Sequence, residues 1–247
     1  MIFGISVDIS DCVRLPLIIE KYGHIVKHIQ IYLDNSSFND MQYIITDVID
    51  RQISYSFHAH GELNMADIEQ YGIAIQTVDM LSSIGGVFIN FHAGHYDSNK
   101  QCRNNALTHV VELTQRLCVY AYNKNIAIHI ENDIPSNDGC ERLGTTLSDW
   151  TTLHKVNQPN FYMCYDIGHA NISFNNPFIY RLFLSKIGSF HIHNNDGISD
   201  QHIPYGGLGV IPLGKVLGEL RKVNKYVILE NAFDEHCIAL QQLSNLI

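Results

Sequence analysis

Histidine and acidic residues stand directly after the apolar segments of this sequence. Six successive runs of β-branched and aromatic residues end in such groups, which are His58-Ala59-His60, His92-Ala93-Gly94-His95, Glu131-Asn132, Asp166-Ile167-Gly168-His169, His191-Ile192-His193 and Glu230-Asn231. A carboxylate that follows an apolar run costs several kcal/mol to desolvate unless it is paired or bound to a cation. The pattern therefore predicts a metal site.

The types of these residues indicate which metal is expected. His, Asp and Glu without Cys suit Zn²⁺ or Mn²⁺. The six cysteines are scattered without a Cys-x-x-Cys pair, so they indicate neither a cysteine zinc site nor a disulfide framework. We expect a divalent metal, Zn²⁺ or Mn²⁺, as cofactor.

Strand and helix patterns alternate along the chain and would position these residues. The predicted strands cover 2–7, 25–33, 53–57, 86–91, 126–130, 161–167, 187–192 and 226–229. The predicted helices lie near 10–21, 39–51, 66–84, 103–124, 145–157, 176–184, 213–223 and 234–246. Eight βα units predict an α/β protein with a single (β/α)₈ TIM barrel domain over residues 1–247. The alternative is an open doubly wound sheet, but Asp8-Ile9-Ser10-Asp11 stand where a dinucleotide fold has its glycines.

In such a barrel, the carboxyl ends of the strands face one mouth, where barrel enzymes keep their active sites. Residues two apart in a strand share a face, so His129 accompanies Glu131 and His191 accompanies His193. We expect His129 and His191 to orient the metal ligands rather than to bind the metal. The segment 194–209 is the longest predicted loop, and loops of that length are often functional.

The charge balance bears on possible partners. Sixteen Lys plus Arg stand against 25 Asp plus Glu, which gives a net charge of −9 and lacks the basic surface of a general nucleic-acid binder. Charge alone does not decide against DNA, because a metal cluster supplies local positive charge. No apolar run approaches the roughly 18 residues of a membrane span. We expect a cytoplasmic protein with a small-molecule substrate, and monomer and homo-oligomer both remain open.

With these residues in place, the chain resembles the xylose isomerase-like barrels, which include sugar isomerases and epimerases and endonuclease IV. The most specific stretch is His193-x-Asn195-Asp196 followed by Asp200-x-His202-x-Pro204-x-Gly206-Gly207-x-Gly209. In the isomerase and epimerase branch, one metal is held by Glu, Asp, His and Glu. The resemblance implies that this ion is bound by the residues Glu131, Asp166, His193 and Glu230.

Endonuclease IV holds two further zinc ions, and the chain carries residues at the matching positions. The resemblance implies His58 and His92, beside Glu131, for one of them, and His169, Asp200 and His202 for the other. One to three ions are therefore expected.

At two positions the chain differs from a pattern of the family, and each difference argues against one possible function or substrate. Three residues after His58, where endonuclease IV has a Tyr that wedges DNA, the chain has Gly61. The Arg that ketose epimerases place after the seventh-strand His is missing, with Ser199-Asp200 in that neighbourhood. The first departure argues against the nuclease, and the second argues against a standard ketohexose substrate.

The sequence as a whole predicts a metal-dependent isomerase or epimerase. It would transfer a proton at the carbon next to a carbonyl of a small sugar-like or keto substrate. The resemblance implies that Glu131 and Glu230 are the catalytic acid and base. The alternative is an endonuclease IV-like zinc-dependent phosphodiester hydrolase that acts on abasic DNA. A third possibility is a non-catalytic binding protein. Lys100, Arg103 and Arg142 are the nearest basic residues to the mouth, so phosphorylation of the substrate remains open.

Overall fold

The centre of the molecule is a closed barrel of eight parallel strands. The computed structural model describes residues 1–33, 53–61, 63–136 and 140–244. The strands are β1 (Ile2–Asp8), β2 (His28–Tyr32), β3 (Ser54–His58), β4 (Phe88–His92), β5 (Ala127–Glu131), β6 (Phe161–Asp166), β7 (Ile187–Ile192) and β8 (Tyr226–Leu229). Each strand pairs with its sequence neighbours, and β8 closes the barrel on β1. The predicted (β/α)₈ architecture is confirmed, and every predicted strand is present.

Helices connect the strands and cover the outside of the barrel. The described helices are α1 (Leu15–Tyr22), α2 (Tyr71–Ser83), α3 (Arg103–Tyr122), α4 (Leu147–Leu153), α5 (Ile167–Ser173), α6 (Leu213–Leu220) and α7 (Phe233–Leu243). Short 3₁₀ turns lie at Ile9–Arg14, Ile68–Gln70 and Ile179–Leu182. The predicted helix near 39–51 lies outside the described residues.

The helices form where apolar residues recur with helical spacing. In α3 the side chains of Ala106, Val110, Leu113, Leu117 and Ala121 are buried, at intervals of three and four residues. Such a stripe gives the helix one face to bury against the strands. The apolar core therefore lies between the barrel and its helices. None of the helices in the described part of the chain is long and apolar enough to cross a membrane.

Two helix predictions differ from the structure. The pattern near 176–184 forms only the short 3₁₀ turn, and α5, directly after β6, was not predicted. The start of α5 is stabilised by Asp166, whose side chain accepts a hydrogen bond from the His169 backbone N–H at 2.6 Å. A small two-stranded sheet, in which His95–Tyr96 pairs with Glu141–Arg142, was not predicted either. It joins the loops after β4 and β5.

The interior of the barrel is polar for much of its length. Gln30, Ser56, Asn90 and Ser189 are completely buried although they carry polar side chains. Near the strand starts lies a group that we call the lower layer, made of His28, Phe88, His129 and Tyr226. There the Phe88 ring stacks between the imidazoles of His28 and His129, with centroid distances of 5.2 and 4.1 Å.

Candidate metal and catalytic site

Three carboxylates meet at the carboxyl ends of three barrel strands. Glu131 and Asp166 end β5 and β6, and Glu230 follows β8. The side chains of Glu131 and Asp166 have no exposed surface, and that of Glu230 is 13% exposed. Each of the three offers an oxygen within 4.8 Å of the others and of a His191 nitrogen. We call these four residues the central group.

His191 lies between the two glutamates that the sequence predicts as catalytic. Its Nδ1 is 3.1 Å from Glu131 Oε1 and 3.1 Å from Glu230 Oε2. Burial alone would raise the pKa of the Glu131 carboxyl, but His191 and the hydrogen bonds from His191 and His58 hold that pKa well below its usual range. The same competition, again with His191 as the main opposing charge, lowers the pKa of Glu230. Both glutamates are therefore carboxylates at neutral pH.

The second group contains His169, His193, Asp200 and His202, whose ligand atoms lie within 4.8 Å of one another. Asp200 Oδ2 is 3.2 Å from His169 Nε2 and 3.0 Å from His202 Nε2. His193 lies between the two groups, because its Nε2 is also 3.1 Å from each carboxylate oxygen of Asp166. The resemblance implied His193 as the imidazole beside the three carboxylates. In the structure His191 lies within 4.8 Å of all three, and His193 contacts Asp166.

The third group contains His58, His92 and Glu131. His58 Nε2 is 3.1 Å from Glu131 Oε2, and the rings of His58 and His92 lie 5.2 Å apart. Asn90 donates a further hydrogen bond to the same glutamate oxygen. All nine predicted metal ligands therefore fall in one of the three groups, and Glu131 belongs to two of them.

These residues fit a divalent metal. The buried atoms His193 Nδ1 and Asp200 Oδ1 have no hydrogen-bond partner among the described residues, and buried polar atoms are normally partnered. Burial lowers the pKa of a histidine, yet the adjacent carboxylates raise the pKa of His202 to about 9 and that of His169 well above its usual value. The carboxylates thus favour a positive charge at these positions, which either a proton on the imidazole or a bound cation supplies. The carboxylate and imidazole donors suit Zn²⁺ or Mn²⁺.

The loop that carries Asp200 and His202 is held in place by two asparagines. Asn194 donates to the Ile211 carbonyl at 3.0 Å, and Asn195 donates to the Gly168 carbonyl at 2.8 Å. His202 has a positive φ of 49°, which is uncommon for a residue other than glycine. Its Nδ1 lies 2.9 Å from the Glu230 carbonyl, so its Nε2 faces Asp200.

Gly168 allows the His193 ring to reach its position. A Cβ at residue 168 would lie 2.0 Å from His193 Cε1, which is far too close for any side chain. The first turn of α5 must therefore pass directly over the imidazole. The glycine between Asp166 and His169 is a requirement of the site rather than a feature of the helix.

The two residues that follow Glu131, Asn132 and Asp133, position the site. Neither was predicted to do so. The Asn132 side chain donates to the Asp166 carbonyl at 2.9 Å and accepts from the Asp166 N–H at 2.7 Å. Asp133 Oδ2 lies 3.2 Å from His92 Nδ1, and Asp133 Oδ1 accepts from Arg142 at 3.0 Å. This ion-pair distance places a carboxylate beside the His92 ring, and a carboxylate in that position can orient a metal-binding histidine. The only sequence signal was the run of three polar residues, Glu131-Asn132-Asp133, at the end of β5.

His129 lies one level below the predicted ligands. Its Nδ1 is 2.8 Å from Ser189 Oγ, and its ring stacks on Phe88 in the lower layer. Burial lowers the pKa of His129 to about 3, so this imidazole is neutral. His191, which contacts Glu131 and Glu230 directly, has the position expected of an orienting residue, whereas His129 packs beneath the site.

A cavity of about 430 Å³ opens above the three groups. Its walls include Tyr32, His58, Glu131, Arg142 and Glu230. This volume lies in the range of small-molecule sites. Of the three basic residues near the mouth, Arg142 lines the cavity. Arg103 is bound to Asp149, and Lys100 to Asp97.

Comparison with known proteins places this geometry in context. A family model described as a xylose isomerase-like TIM barrel matches residues 52–243. Among curated proteins, no sequence matches the chain. Residues 52–243 include all nine predicted ligands, so the match covers the strand ends that carry the site.

Several solved structures share the fold. A D-tagatose 3-epimerase-like protein has a TM-score of 0.80 at 21% identity, covering 99% of this chain and 96% of its own. A Thermus thermophilus protein, soaked with ZnCl₂, has a TM-score of 0.76 at 18% identity and covers 100% and 99% of the two chains. The 3-keto-D-glucoside 4-epimerase of E. coli has a TM-score of 0.73 at 16% identity, covering 100% and 98%. At these identities the likeness is one of fold.

Proposed function

Because the chain belongs to the xylose isomerase-like TIM barrel family, we propose that it is a divalent-metal-dependent isomerase or epimerase of a small sugar-like or keto substrate. The observation that carries this proposal is the pair Glu131 and Glu230. Both carboxylates lie beside His191 Nδ1, each at 3.1 Å, and both line the cavity. Several structural neighbours are sugar epimerases by name, which agrees with this chemistry.

The central group is the best candidate to hold the catalytic ion. Glu131, Asp166 and Glu230 would bind it, with His193 or His191 as the imidazole ligand. When bound there, a divalent ion supplies Lewis acidity to a carbonyl or hydroxyl oxygen of the substrate. Asn90 donates a hydrogen bond to the Glu131 carboxylate, and the Asn132 side chain bonds the backbone N–H and carbonyl of Asp166.

Glu131 and Glu230 would move the proton. A base on one face of the carbon next to a carbonyl removes a proton, and an acid on the other face returns one, which inverts that carbon. One glutamate serves each face, because the two come from β5 and from the end of β8, on different sides of the barrel mouth. The low pKa of both carboxyls keeps either one ready to accept a proton, and the glutamate that returns a proton must first take one up from solvent.

A phosphodiester hydrolase of the endonuclease IV type is the second candidate, and one observation favours it. His169, Asp200 and His202 form a ligand group beside the central one, as more than one ion would require. Gly61 and the net charge of −9 count against it, since DNA binding depends on basic and wedging side chains.

Deuterium exchange tests the first candidate. Metal-loaded enzyme is incubated in D₂O with keto sugars, their phosphates and cyclic keto polyols, and NMR follows exchange at the carbon next to the carbonyl. We expect exchange with a subset of these compounds and its loss in Glu230→Gln. A matched control is Glu219→Gln, which removes a carboxylate that pairs with Arg181, far from the central group.

The same preparation distinguishes the second candidate. Nicking of a duplex that contains an abasic site, inhibited by chelator and weakened by salt, is the signature of the hydrolase. Exchange without nicking supports the isomerase or epimerase. Nicking without exchange overturns it in favour of the hydrolase.

A further inference from the structure

Tyr32 brings a phenol into the cavity from a strand for which the sequence predicted no functional residue. It is the last residue of β2 and pairs in register with His58 on β3. Its ring stacks on the His58 imidazole, with centroids 4.6 Å apart and planes inclined by 26°. The side chain is partly exposed and lines the same cavity as Glu131 and Glu230.

Gly61 makes room for the hydroxyl of Tyr32. A Cβ at residue 61 would come within 2.9 Å of the phenolic oxygen, closer than side chains normally approach. The ring position is thus fixed from two sides, by stacking on His58 and by contact with the loop after β3.

These contacts determine what the hydroxyl can offer. A phenol has one hydrogen to donate and an oxygen that can also accept. A phenol keeps its proton near neutral pH. Tyr32 can therefore serve as a hydrogen-bond donor in a cavity whose walls also include the carboxylates of Glu131 and Glu230.

We propose that Tyr32 is a substrate-binding residue, which donates its phenolic O–H to a hydroxyl or carbonyl oxygen of a polyhydroxylated substrate above Glu131 and Glu230. Gly61 positions it by leaving space for the hydroxyl. This inference rests on the proposed function for its substrate class. It also gives residue 61 a role, because the glycine that replaces the wedging Tyr of the nuclease branch admits an aromatic residue from the neighbouring strand.

Paired substitutions test the proposal. Tyr32→Phe keeps the ring and removes the donor, so we expect KM to rise about tenfold, the value of one neutral hydrogen bond to a ligand, with kcat within about threefold. Gly61→Ala should have a similar effect by displacing the hydroxyl. Once Tyr32→Phe has removed the oxygen, the methyl group added by Gly61→Ala has nothing to displace. The double variant should therefore be no weaker than Tyr32→Phe alone.

Two controls separate binding from folding. Tyr22→Phe removes another phenolic hydroxyl, which bonds the Cys237 carbonyl at 3.2 Å on the outside of the barrel, and should leave KM unchanged. Metal content and thermal midpoint are measured for every variant. A purely structural role for Tyr32 would lower the midpoint and leave KM unchanged, and that result overturns the proposal, as does additivity of the two substitutions.

Calorimetry with xylitol and myo-inositol makes the test independent of turnover. We expect the metal-loaded protein to bind at least one of them and Tyr32→Phe to weaken that binding by a similar factor. Polyol binding that depends on Tyr32, without deuterium exchange on any keto sugar, supports this inference and overturns the proposed function. Deuterium exchange whose KM is unchanged by Tyr32→Phe supports the proposed function and overturns this inference. Failure of the protein to bind either polyol also overturns the inference.

Discussion

The upper and lower parts of the barrel interior both contain buried histidines, and these histidines behave in opposite ways. At the strand ends, carboxylates raise the pKa of His169 and His202 despite burial. In the lower layer, burial lowers the pKa of His28 and His129 to about 3. Burial has the same sign in both places, so the neighbouring groups decide the outcome.

The neighbours differ in kind. His169 and His202 both face the Asp200 carboxylate, whereas His28 bonds the hydroxyls of Ser54 and Ser56 at 2.9 and 2.8 Å. The hydroxyls form hydrogen bonds with the neutral imidazole but carry no charge that would stabilise its protonated form. The comparison teaches that the same residue type serves as a cation-site component at one end of the barrel and as a neutral packing group at the other.

The largest expected effect comes from the lower layer. Phe88→Ala removes the ring between His28 and His129 and leaves a cavity, so we expect the free energy of unfolding to fall by about 3–5 kcal/mol. Chemical denaturation measures this loss, with Phe88→Leu as the milder control. Metal bound per folded molecule should not change, and metal loss in Phe88→Ala would show that the two layers are not independent.

The second-largest effect is expected at the strand ends, above the lower layer. Asp166→Asn removes a central carboxylate and keeps a residue that caps helices well, so α5 should remain folded. We expect metal affinity to fall by more than about 100-fold, since even residues that only orient ligands cost roughly 10–100-fold. Elemental analysis and calorimetry measure it. His129→Gln in the lower layer is the matched control, and equal metal loss in both variants contradicts the assignment of the ligands.

The pH dependence of the metal-free protein follows from the same contrast. His28 and His129 have folded pKa values below the unfolded value of 6.5, so the stability they contribute is present above pH 6.5 and is lost as the pH falls. The loss is about 1.4 kcal/mol per pH unit for each histidine. His202, raised to about 9, contributes stability below pH 6.5 that is lost as the pH rises through 9.

Stability of the metal-free protein should therefore be greatest near pH 6.5. Denaturation between about pH 5 and 9 measures the curve. His129→Gln should flatten the acid side alone, and His202→Gln the alkaline side alone. An acid side that stays as steep in His129→Gln would mean that the lower-layer histidine is not the group that titrates there.

The smallest effect concerns Asp133, which positions His92. Asp133→Asn keeps an oxygen that can accept from the ring but removes the charge, so we expect metal affinity to fall by about tenfold. Asp97→Asn, on an exposed loop beside the mouth, is the control and should change nothing. Unchanged affinity in both variants would remove Asp133 from the site.

The sequence predicted the strand ends well because parallel closure brings all carboxyl ends to one mouth. Glu131, Asp166 and Glu230 lie together for this reason alone. Whether they bind metal, and how many ions, stays a prediction. The alternation of side chains along a strand identified the face that His191 and His129 share with their neighbours. It does not give the position of a residue along the barrel axis. That position separates His191, at the level of the carboxylates, from His129, below them.

Other features could not be predicted because they depend on loops or on contacts between strands. Asp133 reaches His92 through the conformation after β5, and Tyr32 reaches the cavity because Gly61 leaves space for it. The missed helix α5 has the same cause. Its first residues, Ile167 and Gly168, favour helix weakly, and it starts because Asp166 caps it.

Asn132 forms two hydrogen bonds with the backbone of Asp166, and so a side chain continues the ladder between β5 and β6 for one step beyond the last backbone pair. The backbone segments that carry the Glu131 and Asp166 carboxylates are thus linked directly to each other. A change of length in either strand tip would break both bonds at once and separate Glu131 from Asp166. The spacing of these two carboxylates therefore depends on the amide of a single side chain that carries no charge itself.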